Sequence, residues 1–246
     1  MADPKFDVLG IGNAIVDVLS HSDDAFLQRH GMPKGTMSLI DDAAAEAIYA
    51  DMGPGIEASG GSAANTIAGL AAMGGNAAFI GKVRDDQLGT VFTHDIRAAG
   101  AAFDTPAATD GLPTARCLIL VTPDAQRTMN TFLGASTGLG PEDVDPAKVE
   151  AASVTYLEGY LWDPPRAKEA FRKAMEIAKG AGRQVALSLS DPFCVDRYRK
   201  EFRELADGPV DILFANEEEI KSLYEVPDFD SALQAVRGKV GVAVLT

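Results

Sequence analysis

The sequence is poor in cysteine and in basic residues, and each shortage excludes a class of protein. Its 246 residues include two cysteines, Cys117 and Cys194, too few for a disulfide framework or a cysteine-based zinc site. This scarcity indicates a reducing compartment, and the cytoplasm is the expected location. Lysine and arginine total 22 against 36 acidic residues, which gives a formal net charge of −14. Because such a chain repels a phosphate backbone, we expect no nucleic acid partner.

Long apolar runs and several common catalytic motifs are also missing. No stretch approaches the roughly 18 uninterrupted apolar residues of a membrane helix, so no membrane partner is expected. HExxH and CxxC patterns are absent, and Gly81-Lys82 lacks the hydroxyl residue that follows in a Walker A loop. Ile15 stands where a dinucleotide-binding loop that starts at Gly10 needs its third glycine. These gaps disfavour zinc hydrolases, P-loop proteins and nicotinamide-dependent enzymes.

The composition and the order of the apolar segments indicate an α/β fold. Hydrophobic residues make up 46% of the chain and charged residues 24%, which are ordinary values for a globular protein. From about residue 153, short apolar runs alternate with amphipathic stretches, a pattern that predicts βαβ units. The early segments and a hairpin at 114–133 predict a smaller β-rich element over one edge. We therefore predict one doubly wound α/β domain, with a mostly parallel sheet and helices on both faces, over residues 1–246.

Asn13 and Asp17 lie four residues apart, in what the pattern predicts to be a polar turn after the first strand. Ligands of open α/β sheets bind beyond the carboxyl ends of the strands, so this turn is a candidate site. A carboxylate accepts two hydrogen bonds at once, and Asp17 can therefore hold a vicinal diol. A turn-forming asparagine and a solvated aspartate are the alternative interpretation.

Gly60-Gly61-Ser62-Ala63-Ala64-Asn65 places two glycines at the predicted start of a helix. Free amide groups point outward there, and a ligand can approach the backbone without meeting a Cβ atom. Asn65, one turn into the helix, can donate to and accept from the same ligand. A flexible loop that ends in a serine cap explains these residues equally well.

Asn216 and Glu219 follow a predicted strand, and two interpretations of them are compatible. An asparagine three residues before a glutamate is a capping box, which is the commoner explanation. A carboxylate at a strand end can also hold a hydrated magnesium ion beside the phosphates of a nucleotide. Asn216 can cap the helix while the glutamate faces the ligand.

Cys117 and Tyr160 are weaker candidates, because packing explains each of them as well. Cys117 lies in a β-rich run, where a cysteine is commonly small core filler. Tyr160 precedes a predicted helix at Pro165 and can stack on a base, although core packing is the commoner role of such a ring.

Taken together, these motifs resemble the PfkB or ribokinase-like family of carbohydrate and nucleoside kinases. The resemblance is carried by Gly12-Asn13-Ala14-Ile15-Val16-Asp17, the Gly60–Asn65 segment, Ile80–Gly89 and Asn216-x-x-Glu219, in matching order and spacing. Within the family, Leu187–Phe193 and Val210–Glu217 are most similar to the adenosine kinase branch. Arg84 departs from the pattern, because many relatives have a small residue or glycine there.

The resemblance implies a ribokinase-like fold in which two segments, about 14–42 and 103–136, form a small β-rich lid. It also implies an ATP-dependent, magnesium-requiring kinase that phosphorylates the primary hydroxyl of adenosine or a related ribosyl compound, as in purine salvage. The expected partners are a nucleoside or sugar and ATP, and the expected assembly is a monomer or a homodimer.

Roles for particular residues follow from the same resemblance. The residues that would contact the substrate are Asn13, Asp17, Gly60, Gly61, Ser62, Asn65, Cys117 and Tyr160. Asp17 and Asn13 would bind the ribose hydroxyls. Asn216 and Glu219 would organise magnesium near ATP, the glutamate through water, and Thr246 would lie near the nucleotide.

One family motif is absent from these residues. The Asp-Thr-x-Gly-Ala-Gly-Asp stretch of the relatives supplies the glycine amides that cradle the phosphate and the general-base aspartate. The resemblance places this stretch after Thr246, so we expect a further C-terminal segment and expect the 246 residues alone to be inactive. A sugar kinase of the ribokinase or fructokinase type and a non-catalytic nucleoside-binding homologue are the alternatives.

Overall fold

The computed structural model describes residues 3–246, in which strands and helices alternate along most of the chain. The strands are β1 (Phe6–Ile11), β2 (Ile15–His21), β3 (Met37–Leu39), β4 (Ile56–Gly60), β5 (Ala77–Ile80), β6 (Ala102–Phe103), β7 (Ala115–Val121), β8 (Arg127–Phe132), β9 (Ala152–Glu158), β10 (Gln184–Ser188), β11 (Ile212–Ala215) and β12 (Val242–Leu245). The α-helices are α1 (Asp24–Arg29), α2 (Asp42–Asp51), α3 (Ser62–Ala72), α4 (Gln87–Ala98), α5 (Pro146–Glu150), α6 (Pro165–Gly180), α7 (Pro192–Ala206), α8 (Glu217–Tyr224) and α9 (Phe229–Val236). Within residues 3–246, none of these helices has the length and apolar character that crossing a membrane requires.

Seven strands form the main sheet, in the order β12-β11-β10-β9-β1-β5-β6, and every pair of neighbours is parallel. Parallel neighbours require crossover connections, which here place apolar cores on both faces of the sheet. One core includes Phe171 of α6 and Leu213 of β11, and the other includes Phe79 of β5 and Phe92 of α4. The predicted doubly wound fold is confirmed.

A second, five-stranded sheet has the order β3-β8-β7-β2-β4, and β7 and β8 form the predicted hairpin. Val16 and Leu118 on one face of this sheet pack into the same core as α4, which holds the sheet against the main domain. The opposite face carries Ile15 and Cys117. β4 belongs to this sheet although it lies outside the segments expected to form the lid, whereas Phe103 of β6 lies at the start of one of them and joins the main sheet.

Asp17 lies in the middle of β2, so the prediction that it occupies a polar turn was wrong. The segment Ile15–His21 pairs in parallel with β7 and antiparallel with β4, and Asp17 is the register partner of Cys117. Buried Val16 and Val18 alternate with the more exposed Asp17 and Leu19, the period-two pattern of a strand with one buried face. The polar residues Asn13 and Asp17 obscured that alternation in the sequence.

Most long helices begin at a side-chain cap, and α3 is an exception. Asp86 accepts a hydrogen bond from Gly89 N at 2.8 Å at the start of α4, as Asp41 does for α2. The N-cap of α3 is Gly61, which offers no side-chain acceptor to the first turn. The amide groups at the start of α3 therefore have no cap from Gly61, and one of them, Ala63 N, donates to the Glu158 carboxylate instead.

Candidate functional site

A cleft of about 470 Å³ opens between the second sheet and the carboxyl ends of β1, β9 and β10, and we call it the central cleft. It gathers residues that are distant in sequence, in the position where parallel α/β sheets bind ligands. Six of the eight predicted substrate residues line it: Asn13, Asp17, Gly61, Ser62, Cys117 and Tyr160. Gly60 lies just behind Asp17, and Asn65 is exposed in the first turn of α3 without lining the cleft.

Asp17 is the carboxylate of this cleft that has no partner. It accepts no hydrogen bond from residues 3–246, and burial raises its pKa to about 6. A Cβ atom on Gly60 would collide with the Asp17 carboxyl group, so only glycine at that point of β4 leaves room for it. A half-buried carboxylate without a donor is suited to accept hydrogen bonds from the hydroxyl groups of a ligand.

Glu158, at the end of β9, is a site residue that sequence reasoning missed. It is 1% exposed, and burial raises the pKa of its carboxyl group while hydrogen bonds from Ser62 and Asn13 act in the opposite direction. Oε2 accepts from Asn13 N at 2.6 Å and Asn13 Nδ2 at 3.2 Å, and Oε1 accepts from the Ser62 hydroxyl. Ser136 donates to Asn13 Oδ1 at 2.9 Å from another side. Glu158 therefore fixes the β1–β2 turn and the start of α3 relative to each other.

Gly61 supports the same arrangement through its backbone. Its φ of +97° lies in the region that favours glycine, and a Cβ atom there would collide with the carbonyl oxygen of Asn13. The two chain segments that line this part of the cleft thus touch directly at Gly61.

We expect Gly61→Ala to remove ligand binding and to destabilise the chain by about 1 to 3 kcal/mol, because of backbone strain and the contact with Asn13. Gly74→Ala is the matched control, since Gly74 also has a positive φ, +90°, but nothing within 4 Å of its Cβ position. Chemical denaturation and ligand titration of both variants test this expectation. Equal effects of the two substitutions on binding would contradict the role of Gly61.

The lining of the cleft also includes large apolar side chains. Ile15, Leu39, Leu133 and Phe193 contribute to it, and Phe193 at the start of α7 is 73% exposed and Leu39 59%. Large side chains with that exposure beside a cleft offer apolar surface for a ligand to cover. Their proximity could not be predicted, because they come from four separate parts of the chain.

Cys117 and Tyr160 also line the cleft and are not ionised at neutral pH. Burial raises the pKa of the Cys117 thiol to about 11, and Thr131 donates to its sulfur at 3.3 Å. Burial also raises the pKa of Tyr160. Both side chains therefore act as neutral packing and hydrogen-bonding groups, and the thiol is a poor nucleophile.

An ion pair forms part of the wall near Phe193. Arg197 of α7 binds Asp163 through two nitrogens, Nε at 3.2 Å and Nη2 at 2.8 Å. The cleft also contains Asp17, Glu158 and Asp191, so acidic groups outnumber this one basic group. The field in the cleft favours a neutral or cationic ligand over an anion.

Asn216, Glu219 and Thr246 lie together at the carboxyl ends of β11 and β12, outside the lining of the central cleft. Asn216 Oδ1 accepts from Glu219 N at 2.8 Å, and Glu219 accepts from Asn216 N at 3.0 Å and Asn216 Nδ2 at 2.8 Å. Glu217 N donates to Thr246 O at 2.8 Å. The predicted capping box is confirmed.

The charge of a residue that lines the central cleft affects the pKa of Glu219. Burial raises the pKa of Glu219 first, and the charge of Asp191, which lines the cleft, raises it further. Within residues 3–246 no cluster of three or more His, Cys, Asp or Glu side chains could enclose a metal ion. Each Glu219 oxygen accepts a single hydrogen bond, and the residue is 5% exposed.

The chain belongs to the PfkB family: the family model described as "pfkB family carbohydrate kinase" matches residues 56–246. Among solved structures, adenosine kinase from Sinorhizobium meliloti is 56% identical, with 98% of this chain and 74% of that chain covered and a TM-score of 0.90. A probable sugar kinase from Rhizobium etli CFN 42 is 53% identical, with 99% of this chain and 74% of that chain covered and a TM-score of 0.91.

Among curated proteins, guanosine-inosine kinase of Escherichia coli strain K12 is 27% identical over 237 residues. The match covers 88% of this chain and 52% of that protein, so the chain spans about half the length of the curated relatives it matches. These comparisons confirm the ribokinase-like resemblance and its adenosine kinase branch, and they identify the relatives as kinases of sugars and nucleosides.

Proposed function

We propose that the protein is an ATP-dependent kinase that phosphorylates the primary hydroxyl of adenosine or a closely related nucleoside. The observation that carries this proposal is the mixed lining of the central cleft, which combines the unpartnered Asp17 carboxylate with exposed apolar side chains such as Phe193. A nucleoside combines a hydroxyl-rich ribose with a flat, largely apolar base. The proposal assigns the ribose to the part around Asp17, the polar end, and the base to the part around Phe193, the apolar end. The S. meliloti relative, whose name is adenosine kinase, supports the same choice.

The polar end accounts for the ribose. The unpartnered carboxylate of Asp17 accepts hydrogen bonds from two neighbouring hydroxyls, each worth about 1.5 to 3 kcal/mol. Asn13 and Gly61, which also line the cleft, would bind from the other side of the sugar. Glu158 keeps these two elements in register and positions Asn13 and Ser62.

The apolar end distinguishes a nucleoside from a free sugar. Covering about 100 Å² of base against side chains such as Leu39 and Phe193 contributes about 2.5 kcal/mol, a term that ribose or fructose lacks. The acidic groups of the cleft also disfavour sugars that already carry a phosphate. A sugar kinase of the ribokinase or fructokinase type is therefore the second choice. The R. etli relative, a probable sugar kinase, supports this alternative.

Magnesium and ATP are part of the proposal. Glu219 would hold a hydrated magnesium ion through water, with Asn216 and Thr246 beside the nucleotide. The bound ion would neutralise the phosphate charge that develops during phosphoryl transfer. The residues of this chain bind and orient the nucleoside and exclude water from its hydroxyl, in a role suited to purine salvage in the cytoplasm.

We expect Glu219→Gln to separate the capping role from the metal role. Glutamine keeps one of the two acceptors that Asn216 uses, so the free energy of unfolding falls by about 0.5 to 1.5 kcal/mol. In full-length protein, activity at limiting magnesium falls by about tenfold or more. Glu218→Gln, one residue away and exposed, is the control. An unchanged magnesium dependence of Glu219→Gln would leave only the cap.

A substrate panel tests the proposed function. The protein should phosphorylate adenosine in preference to inosine, guanosine, ribose and fructose. Preference for a free sugar would favour the second choice, and binding without turnover by the full-length protein would favour a non-catalytic homologue.

A further inference from the structure

A second cleft, of about 570 Å³, runs along one face of α4 and shares no lining residue with the central cleft. We call it the α4 cleft. Its walls are the Val83–Asp85 turn after β5, the α4 residues between Gly89 and Ala98, and Ala107. Arg84, the residue that departs from the family pattern, lies at this turn, and the proposed kinase function gives it no role.

Two arginines in the α4 cleft lack a carboxylate partner. Arg84 Nη1 donates to the carbonyl oxygen of Gly111, and Arg97 Nε donates to the carbonyl oxygen of Phe103 at 2.7 Å. Neither forms an ion pair with any of residues 3–246, in a chain with 36 acidic residues against 22 basic ones. A guanidinium group has five N–H donors, so each arginine is oriented by one bond and keeps others free.

The other charged groups of the α4 cleft are Asp85 and His94, and His94 Nδ1 lies 3.1 Å from Asp95. A further cation near Arg97, Lys148, is already paired with Asp104, and its pKa is lowered by burial first and then by the charges of Lys5 and Arg97. Arg97, unlike Lys148, has no carboxylate partner among residues 3–246.

We propose that the α4 cleft binds a phosphate group, supplied either by inorganic phosphate or by a small phosphorylated molecule such as a nucleoside monophosphate. Arg84 and Arg97 are the ligands in this assignment, because planar guanidinium groups match the oxygens of a phosphate in paired hydrogen bonds. Val83, Ala98 and Ala107 supply apolar surface for the remainder of a larger ligand. This site is independent of the proposed kinase function.

The α4 cleft is connected with the central cleft through the backbone. Arg84 N donates to Thr114 Oγ1 at 3.0 Å, and Thr114 donates to Asp86, the N-cap of α4, through N at 2.8 Å and Oγ1 at 2.6 Å. Thr114 directly precedes β7, which carries Cys117 into the central cleft. Thr114 is therefore hydrogen-bonded both to the Arg84 turn and to the N-cap of α4.

Equilibrium dialysis tests the proposal with radiolabelled inorganic phosphate and, separately, with labelled AMP. The proteins compared are the wild-type chain, Arg84→Gln/Arg97→Gln and a control of equal charge, Arg127→Gln/Arg237→Gln, whose arginines are exposed elsewhere. We expect the Arg84/Arg97 variant to lose one bound equivalent, or to bind at least about tenfold more weakly, while the control binds as wild type does.

The two ligands distinguish the two sources of phosphate. If the Arg84/Arg97 variant loses binding of inorganic phosphate alone, the site belongs to the free ion. If it loses binding of AMP, the site belongs to a phosphorylated molecule. Unchanged stoichiometry and affinity for both ligands in the Arg84/Arg97 variant would overturn the proposal. If that variant does not fold, the side-chain Nε–H resonances of Arg84 and Arg97 in the wild-type chain decide the matter. They shift on addition of either ligand if the proposal is right and stay unchanged if it is wrong.

Discussion

Asp17→Asn is expected to weaken nucleoside binding by about 2 to 4 kcal/mol, because two charge-assisted hydrogen bonds to the ribose hydroxyls are lost. The same substitution is expected to stabilise the folded chain at neutral pH. Burial raises the pKa of this carboxyl group to about 6 from the model-peptide value of 3.8, so its ionised form is less stable in the folded chain than in the unfolded one. A neutral asparagine of the same shape removes that effect.

The stability difference between the wild-type chain and Asp17→Asn is expected to depend on pH. Below pH 3.8 the carboxyl group is protonated in both states, and Asp17→Asn leaves the stability nearly unchanged. As the pH rises from 3.8 to about 6, the wild-type chain loses stability relative to the variant, and the difference is constant at higher pH. Nucleoside affinity of the wild-type chain runs in the opposite direction, since it falls as the pH drops through about 6 and Asp17 is protonated.

Urea denaturation at pH 4 and pH 7.5, together with nucleoside titration at several pH values, measures both effects. Asp110→Asn is the control, because Asp110 is exposed and makes no ion pair with residues 3–246. Wild-type affinity in a folded Asp17→Asn variant would remove Asp17 from the site. A variant less stable than the wild-type chain at pH 7.5 would show that the carboxylate has a donor in the fold.

Glu158→Ala is expected to lower the free energy of unfolding by about 3 to 5 kcal/mol and to remove most nucleoside binding. Four donors lose their acceptor in a buried place, at about 1 to 3 kcal/mol each before relaxation: the Asn13 backbone and side-chain amides, the Ser62 hydroxyl and the Ala63 backbone amide. Glu158→Gln keeps one acceptor for Asn13 and fills the same volume, so we expect it to recover most of the stability.

The pair of Glu158 variants separates positioning from simple stability. If Glu158 positions Asn13 and Ser62, Glu158→Gln folds well but binds nucleoside more weakly and with a changed pH profile. Titrations at a temperature where all variants are more than nine-tenths folded provide the comparison. Full affinity in folded Glu158→Ala would mean that the two elements hold their geometry without it.

The sequence predicts those parts of the site that depend only on residues close together in the chain. Asn216 and Glu219 are three residues apart, and a capping box needs nothing from the rest of the fold. Gly61 can also be predicted locally, because two consecutive glycines before a helix indicate an unusual backbone conformation. The alternation of strands and helices after residue 153 predicts the main sheet for the same reason.

Glu158 and the strand position of Asp17 could not be predicted in that way. Glu158 ends an apolar strand, and its partner Asn13 is 145 residues away, so no local pattern indicates a shared hydrogen bond. Asp17 faces a cleft that exists only after β2 pairs with β7. Phe193 could not be predicted as a cleft residue either. It lines the cleft together with Leu39, which is 154 positions away in the chain, only once the chain is folded.

Calorimetric titration of residues 1–246 with adenosine, ribose and adenine tests the central claim, that one end of the cleft binds ribose and the other a base. We expect adenosine to bind about a hundredfold more tightly than ribose, because only the nucleoside covers the apolar end. Asp17→Asn should reduce the affinity for adenosine and ribose and leave that for adenine unchanged. Ribose binding as tightly as adenosine, or an affinity for adenosine that does not respond to Asp17→Asn, would contradict the account.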